Sequence, residues 1–212
     1  MTPAIRVMVA DDHSQIHLGL NVLQDTYADL SLVSHASNGQ EAIDLCEETR
    51  PDVIIMDVVM PVMDGIAATR IIHERYPDIK ILALSSFQDD ESIHEMMSAG
   101  AVGYVLKNAS LDELANSIRA VHSGANVFSG EVAQTLLRPY QPVGPTKDYG
   151  LSARELEVLT LMVKGFNNKQ IAHQLSISEP TVKFHVSRIL AKLQVSGRVE
   201  AVAIAVEKHL TV

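Results

Sequence analysis

Five short apolar runs alternate with helix-like segments through the first 122 residues of the chain. Short apolar runs that end at turn-type residues are typical of buried strands in a parallel sheet. A repeated order of strand and then helix predicts a parallel sheet covered by helices on both faces. The predicted strands are Ile5–Ala10, Leu32–Ala36, Val53–Met56, Lys80–Leu84 and Gly103–Leu106, and the predicted helices lie near Ser14–Asp25, Gly39–Arg50, Gly65–Tyr76, Asp90–Ala99 and Leu111–His122.

Acidic residues follow two of the predicted strands. Asp11 and Asp12 end the first apolar run, and Asp57 ends the third. Ligands of parallel sheets bind beyond the carboxyl ends of strands, so the three carboxylates converge if these strands are neighbours. Carboxylates that lie close together repel unless a cation lies among them, and oxygen ligands suit a hard ion such as Mg²⁺. The pattern predicts a metal-assisted phosphoryl-transfer site. The simpler interpretation is that Asp11 and Asp12 only cap the following helix.

The composition limits the class of protein. The chain has 212 residues, of which 47% are apolar and 20% charged, and these values are ordinary for globular domains. No apolar tract approaches the length of a membrane span, and the start lacks the regions of a secretory signal. A soluble, cytoplasmic protein without membrane contact is expected. Cys46 is the only cysteine, so an internal disulfide is excluded, and we predict that this residue is a small member of the core.

The distribution of charge divides the chain into two parts. Residues 1–121 contain 7 basic and 19 acidic side chains, a net charge of −12, whereas residues 148–212 contain 8 basic and 6 acidic ones, a net charge of +2. The segment Arg138–Gly150 contains three prolines and two glycines, which disfavour regular structure. We therefore predict domains at 1–122 and 149–212, joined by a linker at 123–148 that can hold a short helix at 129–138.

The first part resembles the receiver domain of bacterial response regulators over residues 4–122. The matching residues are Asp11-Asp12, Met56–Pro61, Asp64-Gly65, Ser85 and Lys107. This resemblance implies an α/β fold with a flavodoxin-like, doubly wound sheet of five parallel strands in the order 2-1-3-4-5. Strands 1 and 3 are neighbours in that order, which brings the acidic residues together.

The resemblance also implies a role for each acidic residue. Asp57 would accept a phosphoryl group from a histidine kinase. Asp12 and Asp57, with the backbone carbonyl of Val59, would hold Mg²⁺, and Asp11 would act partly through water. The metal ion would neutralise charge between two anions that otherwise repel each other.

Other residues of the receiver-like part have roles that follow from the same resemblance. Lys107 and Ser85 would contact the phosphoryl oxygens and hold the unphosphorylated carboxylate. Tyr104 would rotate inward as the aromatic switch residue. Gly65 is expected to supply backbone angles that other residues avoid. His13 is interpreted as a surface residue at a helix start rather than a ligand.

The second part of the chain has the pattern of a helix-turn-helix. Ser152 and Glu155 form a capping box that begins a helix. A short helix at Asn167–Leu175, a turn at 176–178 and a longer helix at Glu179–Leu193 follow, in the order of a helix-turn-helix. The simpler interpretation is a small helical bundle that mediates protein contacts, because a net charge of +2 is low for a DNA-binding domain.

Residues 149–207 resemble the LuxR-type helix-turn-helix of NarL/FixJ-like regulators. The matching segments are Leu151–Glu155, Asn168–Ala172, Ile177–His185 and Lys192-Leu193. The resemblance implies that the third helix lies in the major groove of DNA, with some side chains at base edges and others at phosphates. A final helix at Val199–Glu207 has an apolar face that would support a dimer. The implied base contacts are Lys183, Phe184 and Ser187, and the implied phosphate contacts are Lys169, Thr181, Arg188 and Lys192.

Together these expectations describe a two-domain transcription regulator. Phosphorylation would favour a homodimer or release the second domain, through a changed face on helices 4 and 5 with strand 5, or on helices 1 and 5. The expected partners are a histidine kinase, double-stranded promoter DNA and RNA polymerase.

Two alternatives remain open. A haloacid dehalogenase-like aspartyl-phosphate hydrolase would have Asp-x-Asp after the first strand, whereas this chain has its nucleophile candidate after the third. A regulator that binds DNA without phosphorylation would not need the complete set of acids with Ser85 and Lys107.

Overall fold

The computed structural model describes residues 3–86, 90–137, 149–175, 177 and 179–211. These residues belong to two units, which divide between residues 139 and 140. The predicted turn residues Ser176 and Ser178 and the proline-rich segment at 138–148 lie outside the described residues.

A parallel six-stranded sheet forms the centre of the first unit. Its strand order is β2-β1-β3-β4-β5-β6, so the predicted order of the first five strands is confirmed. Strands β1 and β3 pair directly, with Ala10 opposite Met56, which brings the ends of both strands to one edge of the sheet. The strands are β1 Ile5–Ala10, β2 Leu30–Ala36, β3 Val53–Asp57, β4 Lys80–Ser85, β5 Gly103–Leu106 and β6 Val127–Phe128.

Helices cover the sheet on both faces. Side chains of the first and fifth helices share one core with Val7 and Val9 of β1. Successive strand residues point to opposite faces, and Met8 is fully buried on the other face, where the second, third and fourth helices pack in sequence. Cys46 is fully buried, as predicted, and burial raises the pKa of its thiol to about 12. The helices are α1 Ser14–Thr26, α2 Gly39–Thr49, α3 Gly65–Arg75, α4 Asp90–Ser98 and α5 Leu111–His122.

A sixth strand and a sixth helix correct the predicted end of the first domain. Strand β6 pairs in parallel with β5, and helix α6, Gly130–Leu137, packs against α4. Val132 on α6 is fully buried, and the Thr135 hydroxyl donates to Asp90 at 3.1 Å. Residues 123–137 therefore belong to the first unit and not to a linker. The sequence did not predict β6 because a two-residue strand is too short to show a period.

The described residues of the second unit form four helices around one core. The observed bounds of α8, α9 and α10 differ from the predicted ones by no more than one residue. The predicted capping box is present at the start of α7, because the Ser152 backbone N–H donates to Glu155 at 2.8 Å and the Glu155 N–H donates to the Ser152 hydroxyl. The helices are α7 Ala153–Val163, α8 Asn168–Leu175, α9 Glu179–Leu193 and α10 Arg198–Glu207.

None of the helices in the described part of the chain is long and apolar enough to cross a membrane. The cytoplasmic location stays a prediction.

Candidate functional site

The three predicted acidic residues lie together at the carboxyl ends of β1 and β3. Side-chain oxygens of Asp11, Asp12 and Asp57 and a ring nitrogen of His13 all lie within 4.8 Å of one another. Asp11 and Asp57 are buried, whereas the Asp12 side chain is 35% exposed. The predicted convergence of the carboxylates is confirmed. It follows from the direct pairing of the two strands.

Lys107 contacts two of these carboxylates. Its Nζ lies 2.7 Å from Asp57 Oδ2 and 2.6 Å from Asp11 Oδ2, because the residue directly follows β5 at the same edge of the sheet. Burial raises the pKa of Asp57 to about 6; the Asp11 charge adds to this shift and the Lys107 charge opposes it. Burial acts against the charged form of Lys107, but the two carboxylates raise its pKa overall. The ammonium group therefore stays charged inside the acidic cluster.

Ser85 lies on β4, which pairs with the strand of Asp57, and Tyr104 lies on β5, the next strand of the sheet. Ser85 ends β4 and is fully buried, and its carbonyl accepts a hydrogen bond from the Lys107 backbone N–H at 2.9 Å. Tyr104 on β5 is also fully buried. The sequence predicts an inward rotation of this ring on phosphorylation, but the ring is already inside the protein in this structure. The rotation on phosphorylation stays a prediction.

The loop after β3 lies close to the main chain of Asp57. The Val59 backbone N–H donates to Asp57 Oδ1 at 3.3 Å, and the Gly65 N–H donates to the Val58 carbonyl at 3.0 Å. A Cβ atom on Gly65 would lie 1.9 Å from the Asp57 carbonyl oxygen. Gly65 is not one of the described glycines that have a positive φ. The expected reason for this glycine is therefore wrong: close approach of two backbones requires it, not an unusual backbone angle.

The His13 ring contacts the acidic cluster, which the sequence does not suggest. Its side chain is 64% exposed at the start of α1, as expected, but Nδ1 lies 3.0 Å from Asp11 Oδ1 and 2.8 Å from Asp12 Oδ1. The His13 backbone N–H also donates to Asp11 Oδ1 at 2.9 Å, which turns the chain so that the ring lies at the mouth of the site. The signal available in the sequence was its position directly after the acidic pair.

The predicted DNA-contacting residues of the second unit fall into two groups by exposure. Lys169, Lys183 and Ser187 are exposed. In contrast, Thr181 and Phe184 are only 3% and 4% exposed, so neither side chain can reach a phosphate or a base edge in this conformation. The predicted DNA contacts of these two residues would need their side chains to become exposed and stay predictions, because a residue's place in the motif does not determine its burial.

Arg188 and Lys192 contact Glu155, a buried acid whose place in the sequence indicates only a helix cap. Glu155 is 1% exposed, and its carboxylate lies 2.6 Å from Lys192 Nζ and 3.6 Å from Arg188 Nε. The Arg188 guanidinium carbon also lies 5.4 Å from the centre of the Phe184 ring, a distance typical of a cation–π contact. The two predicted phosphate contacts thus also join α9 to the start of α7.

Comparison with known proteins identifies both units. The family model of the response regulator receiver domain matches residues 7–119, and the family model of the LuxR family of bacterial regulatory proteins matches residues 150–205. The chain belongs to the LuxR-type response regulators. The first match contains the acidic cluster with Lys107, and the second contains α7, α8 and α9 and most of α10. The predicted family and fold class are therefore confirmed.

Relatives of this response regulator match it over nearly its whole length. The transcriptional regulatory protein LiaR of Bacillus subtilis is 39% identical over 208 residues, which are 97% of this chain and 99% of that protein. The response regulator protein VraR of Staphylococcus aureus is 36% identical over 206 residues, 97% of this chain and 98% of that protein. The crystal structure of the response regulator ChrA, from a heme-sensing two-component system, is 34% identical, covers 98% of both chains and has a TM-score of 0.54.

Proposed function

We propose that Asp57 is the phosphoacceptor of this response regulator and that a histidine kinase supplies the phosphoryl group. The observation that carries this proposal is the contact of the buried Asp57 carboxylate with Lys107 at 2.7 Å, at the carboxyl edge of the sheet. A buried acid held against a cation inside a cluster of acids is suited to accept a charged group. We propose no enzymatic activity beyond phosphorylation and dephosphorylation of Asp57.

The proposed reaction transfers a phosphoryl group from a kinase histidine to Asp57. The P–N bond to the imidazole breaks as a P–O bond forms with the Asp57 carboxylate, and the imidazole keeps the electron pair of the broken bond. Asp57 must be ionised to attack, and a pKa of about 6 leaves it mostly ionised at pH 7. Lys107 would compensate charge on the phosphoryl oxygens, and the Ser85 hydroxyl would donate to one of them.

The acidic cluster fits a divalent metal ion. Its carboxylates are oxygen ligands of the kind that Mg²⁺ prefers. Lys107 contacts both Asp11 and Asp57, so these carboxylates already lie beside a positive charge. We propose that Asp12, Asp57 and the backbone carbonyl of Val59 hold Mg²⁺, with Asp11 acting partly through water. When bound, the ion would neutralise charge between the attacking carboxylate and the phosphoryl group.

We propose that the phosphorylated receiver controls DNA binding by the second domain. The exposure of Lys169, Lys183 and Ser187 supports direct contact with double-stranded promoter DNA by α8 and α9. Arg188 and Lys192 are partly exposed, so each can reach a phosphate if it turns away from Glu155. A base contact by Phe184 or a phosphate contact by Thr181 requires that these side chains become exposed, and Tyr104 stays the proposed switch residue.

We further propose that the active form is a homodimer. Val199 and Val206 on α10 are 83% and 56% exposed, and a spacing of seven residues puts both side chains on one face of a helix. Two copies of a mildly basic domain would contact about twice as many phosphates as one copy. RNA polymerase stays a predicted partner.

Phosphate labelling tests the phosphoacceptor. Full-length protein incubated with a radiolabelled phosphoryl donor and Mg²⁺ should acquire one acid-stable, base-labile label per chain. The variant Asp57→Asn should acquire none, because an amide is not a nucleophile for this transfer. Asp64→Asn is a matched control: Asp64 caps α3 by accepting from the Ala67 N–H at 2.7 Å, and an asparagine keeps that bond.

Two results would contradict the proposal. A label that persists on Asp57→Asn would remove Asp57 from the role of phosphoacceptor. Steady release of phosphate from many small esters would instead support the aspartyl-phosphate hydrolase.

A further inference from the structure

We propose that His13 makes the acidic site a mixed nitrogen and oxygen site that binds borderline divalent ions of the first transition row more tightly than Mg²⁺. The inference rests on the proposed metal site at Asp12 and Asp57, and it adds one ligand to that site. The class of ion includes Fe²⁺, Co²⁺, Ni²⁺ and Zn²⁺, whose affinity for imidazole exceeds that of Mg²⁺.

The position of the ring nitrogen carries the proposal. His13 Nδ1 lies 2.8 Å from Asp12 Oδ1 and 3.0 Å from Asp11 Oδ1, and the group of ligand atoms that includes Asp57 spans no more than 4.8 Å. Adjacent ligands of an octahedral ion with bonds of about 2.1 Å lie about 3 Å apart. The nitrogen and the Asp12 oxygen therefore already have the separation of neighbouring ligands on one ion.

The backbone holds the ring in this place. The His13 N–H donates to Asp11 Oδ1 at 2.9 Å, and the residue immediately precedes the first turn of α1. The side chains of His13 and Asp12 are 64% and 35% exposed, so an ion can approach from solvent without opening of the core. A ligand that is already in position loses little conformational freedom when the ion binds.

The chemistry of imidazole determines which ions bind more tightly when His13 is a ligand. A neutral histidine with its proton on Nε2 offers the lone pair of Nδ1 to the site. Mg²⁺ prefers oxygen ligands and retains water, so it gains little from a nitrogen. Ions from Fe²⁺ to Zn²⁺ bind imidazole well. Removal of His13 should therefore weaken binding of the second group selectively.

The test compares Co²⁺ and Mg²⁺ binding to full-length, metal-free protein. Co²⁺ is followed by its visible absorption and Mg²⁺ by calorimetry. His13→Ala should lower Co²⁺ affinity about tenfold or more and change Mg²⁺ affinity less than about twofold. X-ray absorption of bound Co²⁺ should lose the imidazole scattering signal in this variant. His122→Ala is the control, because His122 is exposed at the end of α5 and should change neither affinity.

A third variant separates failure of this inference from failure of the proposed metal site. Asp12→Asn should weaken both ions. If it does so while His13→Ala leaves Co²⁺ affinity and the scattering signal unchanged, the nitrogen ligand is refuted and the metal site stands. Equal loss of both ions in His13→Ala would also overturn the inference, since it would reflect damage to the oxygen ligands. Insensitivity of both ions to Asp12→Asn would contradict the metal site itself.

Discussion

At the scale of single residues, Asp57 is a carboxylic acid in a buried position, where its charged form is disfavoured. Asp57 is 2% exposed, and its pKa is raised to about 6 by burial and by Asp11, although Lys107 opposes the shift. The folded protein therefore binds a proton at Asp57 more tightly than the unfolded chain does. The contribution of Asp57 to the free energy of unfolding is fully present below a pH of about 4 and is lost as pH rises to about 6.

This shift predicts how Asp57→Asn changes stability. An asparagine stays neutral, so the variant should gain stability relative to the wild type as pH rises from about 4 to about 6.5. A shift of about two pKa units corresponds to about 3 kcal/mol at most. Denaturant unfolding of metal-free protein across this range measures the difference. A constant difference between Asp57→Asn and the wild type across this range would contradict a raised pKa.

At the scale of elements, one buried acid joins two helices of the DNA-binding domain. Glu155 completes the capping box of α7 with Ser152 and also contacts Lys192 and Arg188 on α9. Removal of its charge leaves two partly buried cations without their partner, which destabilises a structure more than the intact pair stabilises it. The contact thus links α7 to α9, the helix expected in the major groove.

We predict that Glu155→Gln lowers the free energy of unfolding of the second domain by about 1 to 3 kcal/mol. Thermal unfolding followed by circular dichroism measures the loss. Glu157→Gln is the matched control on the same helix: Glu157 is exposed and pairs with Arg154 at 2.6 Å, so its loss should remain below about 1 kcal/mol. Equal effects of the two substitutions would show that the buried contact has no special role.

At the scale of the whole molecule, the charges of the two parts differ in sign. Residues 1–121 have a net charge of −12 and residues 148–212 a net charge of +2. The acidic part should repel DNA, and one copy of the second domain should bind it weakly. We therefore expect tight binding to need two copies, with the exposed valines of α10 as the proposed contact between them.

Val199→Glu together with Val206→Glu should weaken binding to DNA with two half-sites about tenfold or more, because two buried charges prevent dimer contact. Binding to a single half-site should change little. Fluorescence anisotropy at several salt concentrations measures both, and the salt dependence should fall towards that of one domain. Leu137→Glu is the control, since Leu137 is 85% exposed in the first unit. Unchanged binding to the double site would refute α10 as the dimer contact.

The sequence by itself determined the elements and the family. The alternation of apolar runs with helical segments predicted five strands and their helices, and the predicted bounds of β1, β5, α5 and α9 match the structure. These features are local: a period of two or 3.6 residues, a capping box and a strand end are all encoded within a few neighbouring residues. The positions of Asp11 and Asp57 at strand ends belong to this level, and their convergence needed only the strand order.

Tertiary structure alone decided which side chains are buried and which charges pair. It added β6, assigned the predicted short helix α6 to the first unit, covered Tyr104 and Phe184, and turned Lys192 towards Glu155, a residue 37 positions away. It also showed that Gly65 is required by the approach of the Asp57 carbonyl. The physical reason is that burial and ion pairing depend on contacts between distant segments, whereas a sequence pattern reports the preferences of near neighbours.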